Sequence, residues 1–76
     1  MEVDASHAIF EVEVPEEWTG KTVGGLDIRK RYNINILAVK NEGDLILQFL
    51  RIRNLEENSK LLVLGEYRAL QKCFRI

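Results

Sequence analysis

Residues 14–40 read VPEEWTGKTVGGLDIRKRYNINILAVK, and the punctuation of this stretch decides how the chain folds. Pro15 cannot donate a ladder hydrogen bond, so a strand that reaches Val14 has to end there. Ahead of it, Ile9, Glu11 and Glu13 alternate with Phe10, Val12 and Val14, the period-two pattern of a half-buried strand. Behind it, Glu16-Glu17-Trp18-Thr19-Gly20 is a connection that carries one large aromatic. Thr22 can cap a helix start, with Val23 and Leu26 three apart behind it. Gly24 and Gly25 weaken that helix by about 1 kcal/mol each relative to alanine. Asp27 is placed to act as a second cap, restarting a turn through Ile28-Arg29-Lys30-Arg31-Tyr32. Asn33 tolerates a left-handed conformation and marks the stop. The spacing predicts two short helical pieces with a break between them. Asn35 to Lys40 is nearly continuous apolar, as in a central strand covered on both faces.

Working outward, Asn41-Glu42-Gly43-Asp44 is a turn cluster, and Leu45 to Leu50 resumes extended structure, which makes a hairpin. Arg51 to Ser59 is ambiguous; Leu50, Ile52 and Leu55 could alternate inward around exposed Arg51 and Arg53. Lys60 to Leu64 is another apolar strand, stopped by Gly65. Tyr67, Leu70 and Phe74 share one face of a terminal helix. Residues 1–8 (MEVDASHA) show no periodicity and are expected to be a leader or hinge remnant, ahead of a domain spanning 9–76. The order strand, helix, hairpin, strand, helix is α+β: a small single domain with a mixed or antiparallel sheet.

The chain has 76 residues, 46% hydrophobic and 30% charged, which describes a globular domain rather than a disordered one. A chain this short buries only roughly 60–65% of its unfolded surface, so the core is thin and a homodimer is expected. Eleven basic and twelve acidic side chains leave a net charge of −1, with no general pull toward nucleic acid or anionic lipid. The longest apolar stretches are too short for a transmembrane helix or a secretory leader. One cysteine, Cys73, has no internal disulfide partner, which fits a reducing cytosol.

The inventory for catalysis is poor, and the chain is not expected to be an enzyme. His7 stands alone near the start, and Cys73 and His7 cannot complete a four-ligand zinc site. Neither Ser6 nor Ser59 sits in a nucleophile-elbow context. The carboxylates Glu11, Glu13, Glu16 and Glu17 read as a solvated face, and 41–44 is too short for a calcium loop. No metal or cofactor is expected. Arg29-Lys30-Arg31 is the exception: either a wet helical face or an anion site. Arg29 has the planar fork that suits a phosphate, Ile28 and Ile36 could wall a flat base, and Asn35 could read its edge.

The run Val14-Pro15-Glu16-Glu17-Trp18-Thr19-Gly20-Lys21-Thr22, followed by Leu26-Asp27-Ile28-Arg29-Lys30-Arg31-Tyr32-Asn33-Ile34-Asn35-Ile36-Leu37-Ala38-Val39-Lys40, resembles the C-terminal domain of RCK (regulator of K+ conductance) proteins, the TrkA-C family. Leu61 to Gly65 fits that family's late strand and glycine. The resemblance is strongest to the cytosolic gating subunits of Ktr-type potassium transporters. Two departures stand out. Asn58-Ser59 occupies the place of a usual Gly-Asp, and no proline stands near Phe49 to Arg51, where many members carry one.

The resemblance implies a homodimer, attached in a longer protein to an N-terminal RCK domain and a membrane potassium transporter subunit. It implies a cytoplasmic domain, peripheral to the inner face of the cell membrane through that transporter, with no membrane insertion and no direct nucleic acid contact. It also implies a regulatory ligand, cyclic di-AMP, bound between the two copies to gate potassium uptake. The lining positions carried over are Val23, Asp27, Ile28, Arg29, Lys30, Asn35 and Ile36. Among them Arg29 is the phosphate contact, Asn35 the base-edge contact, and Ile28 and Ile36 the apolar walls. Two alternatives are the same sensing domain on another transporter or a DNA-binding transcription regulator, and a purely structural dimerisation domain.

Overall fold

Alternating side chains commit one face of each strand to a core, and the helices gather on that face alone. The computed structural model describes residues 1–74. In chain order it has β1 (His7–Glu13), a 3-10 turn (Glu16–Trp18), α1 (Val23–Leu26), α2 (Ile28–Tyr32), β2 (Ile34–Asn41), β3 (Asp44–Ile46), β4 (Lys60–Glu66) and α3 (Tyr67–Phe74). The strands form one four-stranded sheet in the order β1-β4-β2-β3, antiparallel at every pairing. This is the expected α+β architecture, with the sheet wholly antiparallel rather than mixed. Among the described residues no helix is long and apolar enough to cross a membrane.

Strand pairing sorts the side chains into two faces. Ala8, Val12, Ile34, Val39, Leu61 and Val63 fall on the helix-covered face, and all are buried. Leu70 of α3 drops onto this face, and Gly65 makes room for it. A Cβ there would lie 3.3 Å from Ile34 Cγ1 and 3.5 Å from Leu70 Cδ2. The strand therefore runs through Gly65 to Glu66 instead of stopping at the glycine. On the other face Ile9, Leu62 and Leu64 are half-buried, and Lys40 Nζ meets Glu11 Oε1 at 3.2 Å. A bulge between Ile36 and Ala38 shifts the register of β2 and returns Val39 to the helix-covered face, while Ala38, opposite Leu62, is buried on the other face, so this part of the strand is covered on both sides as its apolar run predicts.

Trp18 is 5% exposed and meets Phe74 edge-on at 5.3 Å between ring centroids, with Tyr32 at 6.1 Å. The connection after Pro15 thus supplies the apolar centre that joins α2 to α3.

Two further expectations change, and the turn before β4 is made without its usual glycine. The hairpin's second strand shrinks to Asp44–Ile46, because Phe49 takes a left-handed φ of 58° that no strand accommodates. Ile52 points outward, 74% exposed, while Leu55 is buried. Asn58 takes φ 68°, so an asparagine makes the turn before β4 without a glycine.

The first strand opens at His7, two residues ahead of the expected Ile9, and the segment before it folds back along it. Val3 N donates to His7 O (2.9 Å), and Ile9 N donates to Met1 O (2.7 Å). Asp4 closes this turn: its Oδ1 accepts from Ser6 N and His7 N, each at 2.8 Å, and stands 3.0 Å from His7 Nδ1. The Ser6 amide first, then the His7 ring and amide, hold the Asp4 carboxyl at about 2, against an ordinary 3.8. A carboxyl held low in the folded state stabilises that state above its ordinary value, and the benefit disappears as pH falls through the folded value. The turn at Asp4 is therefore expected to loosen between pH about 4 and about 2, while the backbone bonds of Val3, Ile9 and Tyr67 to this segment remain. Amide exchange at Ser6 and His7 checks this: Asp4→Asn should show weak protection at every pH and no such transition.

Candidate ligand-binding site

Two left-handed residues shape the corner that presents the cations. Thr22 Oγ1 accepts from Gly25 N at 2.9 Å, capping α1 as its sequence position predicts. Asp27, at φ 53° and ψ 45°, ends α1 by donating its N–H to Val23 O (3.1 Å) and Gly24 O (3.2 Å). Its carbonyl then accepts from Arg31 N at 2.9 Å, which opens α2. The Asp27 side chain makes no cap bond, so its contribution is the backbone reversal rather than the expected side-chain cap. Asn33, at φ 58°, ends α2 by donating to Arg29 O at 3.0 Å. The short segment between these reversals carries Arg29, Lys30 and Arg31, all exposed.

Their surroundings separate the three cations. The Arg31 guanidinium lies 5.3 Å from the centre of the Tyr32 ring, a cation–π contact. Among the described residues neither Arg29 nor Lys30 has an ion-pair partner. An exposed arginine beside a reversed backbone is free to take an external anion as a planar fork.

The seven predicted residues do not share one surface. Asp27, Arg29 and Lys30 are exposed, and Val23 and Ile36 are half-buried against the core. Ile28 is 1% exposed and belongs to the core, so it is no open wall for a ligand. Asn35 pairs with Leu64 and Ile36 with Val63, so the two side chains leave β2 on opposite faces. Asn35 thus stands on the open face, away from its expected companions. β3 pairs only with Val39 to Asn41, and among the described residues this leaves β2 from Ile34 to Ala38 with no strand on that edge.

A contact missed by periodicity lies beside α1. Gly24 N donates to Arg51 O at 2.9 Å, and a Cβ on Gly24 would stand 2.9 Å from that oxygen. The signal was the Gly24-Gly25 pair itself. It reads locally as a weak helix, whereas the structure uses Gly24 for a close backbone approach.

Other groups offer less chemistry. A broad depression of about 1180 Å3 lies between the 3-10 turn, the turn before β4 and the end of α3, and none of the seven residues lines it. Cys73, on its wall, is half-buried; burial first, then the Glu17 carboxylate, pushes its thiol pKa up, which keeps it protonated and unreactive. Among the described residues no group of three His, Cys, Asp or Glu side chains could hold a metal ion.

The sequence profile of the TrkA-C domain matches residues 7–76. The chain belongs to the TrkA-C domain family. The TrkA-C chain is 31% identical over 65 residues to the Ktr system potassium uptake protein C of Bacillus subtilis (strain 168), covering 86% of this chain and 29% of that protein. It is 33% identical over 64 residues to the K(+)/H(+) antiporter subunit KhtT of the same organism, covering 83% of this chain and 39% of that protein. The TrkA-C chain therefore spans well under half the length of these two relatives. Its backbone superposes on the RCK C domain of the potassium transport protein KtrA, solved in complex with cyclic diadenosine monophosphate, with a TM-score of 0.82. That likeness has 33% identity and covers 88% of this chain and 79% of that one.

Proposed function

We propose that this domain is the ligand-sensing part of a potassium transport system, in which two copies bind one cyclic di-AMP between them and gate potassium uptake. The observation that carries the reading is the likeness to the KtrA RCK C domain, which was solved with that ligand. The exposed Arg29 at the α1–α2 corner, without an ion-pair partner among the described residues, supports it as the phosphate contact. Lys30 adds charge at the same rim, Val23 and Ile36 supply apolar surface, and Asp27 contributes backbone, with Ile28 supporting the corner from the core. Asn35 reads the base edge, which requires the ligand to straddle the unpaired edge of β2. In the longer protein the partners are an N-terminal RCK domain and a membrane potassium transporter subunit, which place this domain at the cytoplasmic face.

Pairing of copies is supported by Leu45, Leu47, Phe49 and Ile52, which are 57–74% exposed in one copy. Apolar surface concentrated in one short segment marks an interaction site. Sedimentation tests the assembly. The chain is expected to run near 18 kDa, about twice its 8.8 kDa mass, at micromolar concentration. Added cyclic di-AMP is expected to stabilise that dimer by mass action. A monomer persisting at about 100 μM with saturating ligand would overturn the reading, because a site between two copies links binding to dimerisation.

A further inference from the structure

We infer that residues 1–6 form a strap that closes the outer edge of β1 against pairing with a second copy of the chain. The TrkA-C profile begins at His7, so the strap lies outside the matched residues. Val14 N donates to Ser59 O, and by the alternation of an antiparallel pair the even-numbered residues of β1 bond to β4. His7, Ile9, Glu11 and Glu13 therefore turn their N–H and C=O groups away from the sheet. The strap takes the first two of these. Met1 N donates to Ile9 O at 2.6 Å, Ile9 N to Met1 O at 2.7 Å and Val3 N to His7 O at 2.9 Å, while Glu2 stands opposite Ala8. Ser6 O accepts from Tyr67 N at 2.8 Å, which fastens the strap to the start of α3 as well. Among the described residues no backbone group from outside the sheet bonds to Glu11 or Glu13.

The division of the edge follows charge. Its uncovered part carries Glu11 and Glu13, and charged side chains discourage edge pairing; the covered part, His7-Ala8-Ile9, has no carboxylate. Backbone bonds hold the strap, and burial adds little. Met1 and Val3 are 75% and 52% exposed, and a space of about 190 Å3 remains between the strap and the rings of Phe10 and Tyr67. A segment with so few buried contacts opens readily. Once open, the bare edge is self-complementary. Antiparallel pairing across a two-fold axis at Ile9 sets Glu11 of each chain opposite His7 of the other, and no two carboxylates of β1 stand opposite each other. The sheet order β1-β4-β2-β3 puts this edge on the far side of β4 from the ligand corner, so the inference does not depend on the ligand reading.

Sedimentation and amide exchange of the intact chain and its variants, without ligand, decide the matter. Val3→Pro combined with Asp4→Ala removes the Val3 donor and the acceptor that closes the turn. At about 100 μM, a concentration that reveals even weak pairing, this variant is expected to sediment at about twice the mass of the unaltered chain. It should return to that chain's mass on dilution, when its Ile9 amide becomes free to exchange. Adding Ile9→Lys, which sets two like charges opposite each other at the two-fold axis, should restore the unaltered mass at every concentration. Asp4→Gly alone, a milder change that keeps the fold if the double variant loses it, should pair in proportion to the exchange rate of its Ile9 amide. Faster exchange at Ile9 with no gain in mass, in either variant, would overturn the inference. An Ile9 amide that stays protected in both variants in dilute solution would overturn it too, because the strap would then not be a closure that these bonds hold.

Discussion

Trp18→Ala is expected to destabilise the domain by about 3–5 kcal/mol, a large share of what a chain this small can hold. The indole is 5% exposed and stands between Tyr32 on α2 and Phe74 on α3. Alanine would leave a void that neither ring can fill without moving its own helix. Because α2 carries the cations of the ligand corner, the loss should also weaken ligand binding indirectly. Urea unfolding checks the prediction, followed by far-UV circular dichroism because the variant lacks the chain's one tryptophan. A loss below about 1 kcal/mol would show that the aromatic cluster contributes little beyond surface packing.

Arg29→Ala is expected to do the opposite: to abolish most ligand affinity and leave the fold intact. The residue is exposed and makes no ion pair among the described residues, so its removal takes nothing from the core. If both copies contribute a charge-assisted contact, the loss is about 2–4 kcal/mol, roughly 30- to 1000-fold in affinity. Asn35→Ala should cost less, about 1–2 kcal/mol, because the base can still stack and find water. Competition binding against labelled ligand measures both variants on one scale. An Arg29→Ala chain with unchanged affinity would remove the phosphate contact on which the site is built.

Much of this arrangement is legible in the sequence because it depends on neighbours along the chain. Thr22 caps three residues ahead and Asn33 ends its helix where a left-handed residue is wanted, as local chemistry dictates, while the strand before Pro15 ends at Glu13, one residue short of the expected Val14. The segment 47–55 is where local reading fails. Leu47, Phe49 and Ile52 have the composition of a strand, but their segment is held by the bonds of Arg51 to Gly24 and of Leu55 to Gly20 and Lys21, residues about thirty positions away. Tertiary hydrogen bonds override a period-two pattern there.

The site is divided in the same way. The cationic turn at Arg29 is visible in part: Asn33 reads as its left-handed stop, whereas Asp27 reads as a cap and acts through a backbone reversal instead. That Ile28 turns inward is not visible, since an isoleucine beside an arginine looks the same whether it faces a ligand or a core. Strand alternation separates Asn35 from Ile36, so one ligand can use both only by reaching around the edge of β2.

The central claim is that the ligand belongs to a pair of chains. A two-fold symmetric dinucleotide and two identical Arg29-bearing corners match only if each half of the ligand meets its own copy. The most direct measurement is the stoichiometry of cyclic di-AMP binding to this chain by titration calorimetry, with linear pApA and ATP as comparisons. The account predicts one cyclic di-AMP per two chains and much weaker binding of both comparison nucleotides. One ligand per chain, or no binding by a folded chain at about 100 μM ligand, a millimolar-class affinity at best, would contradict it.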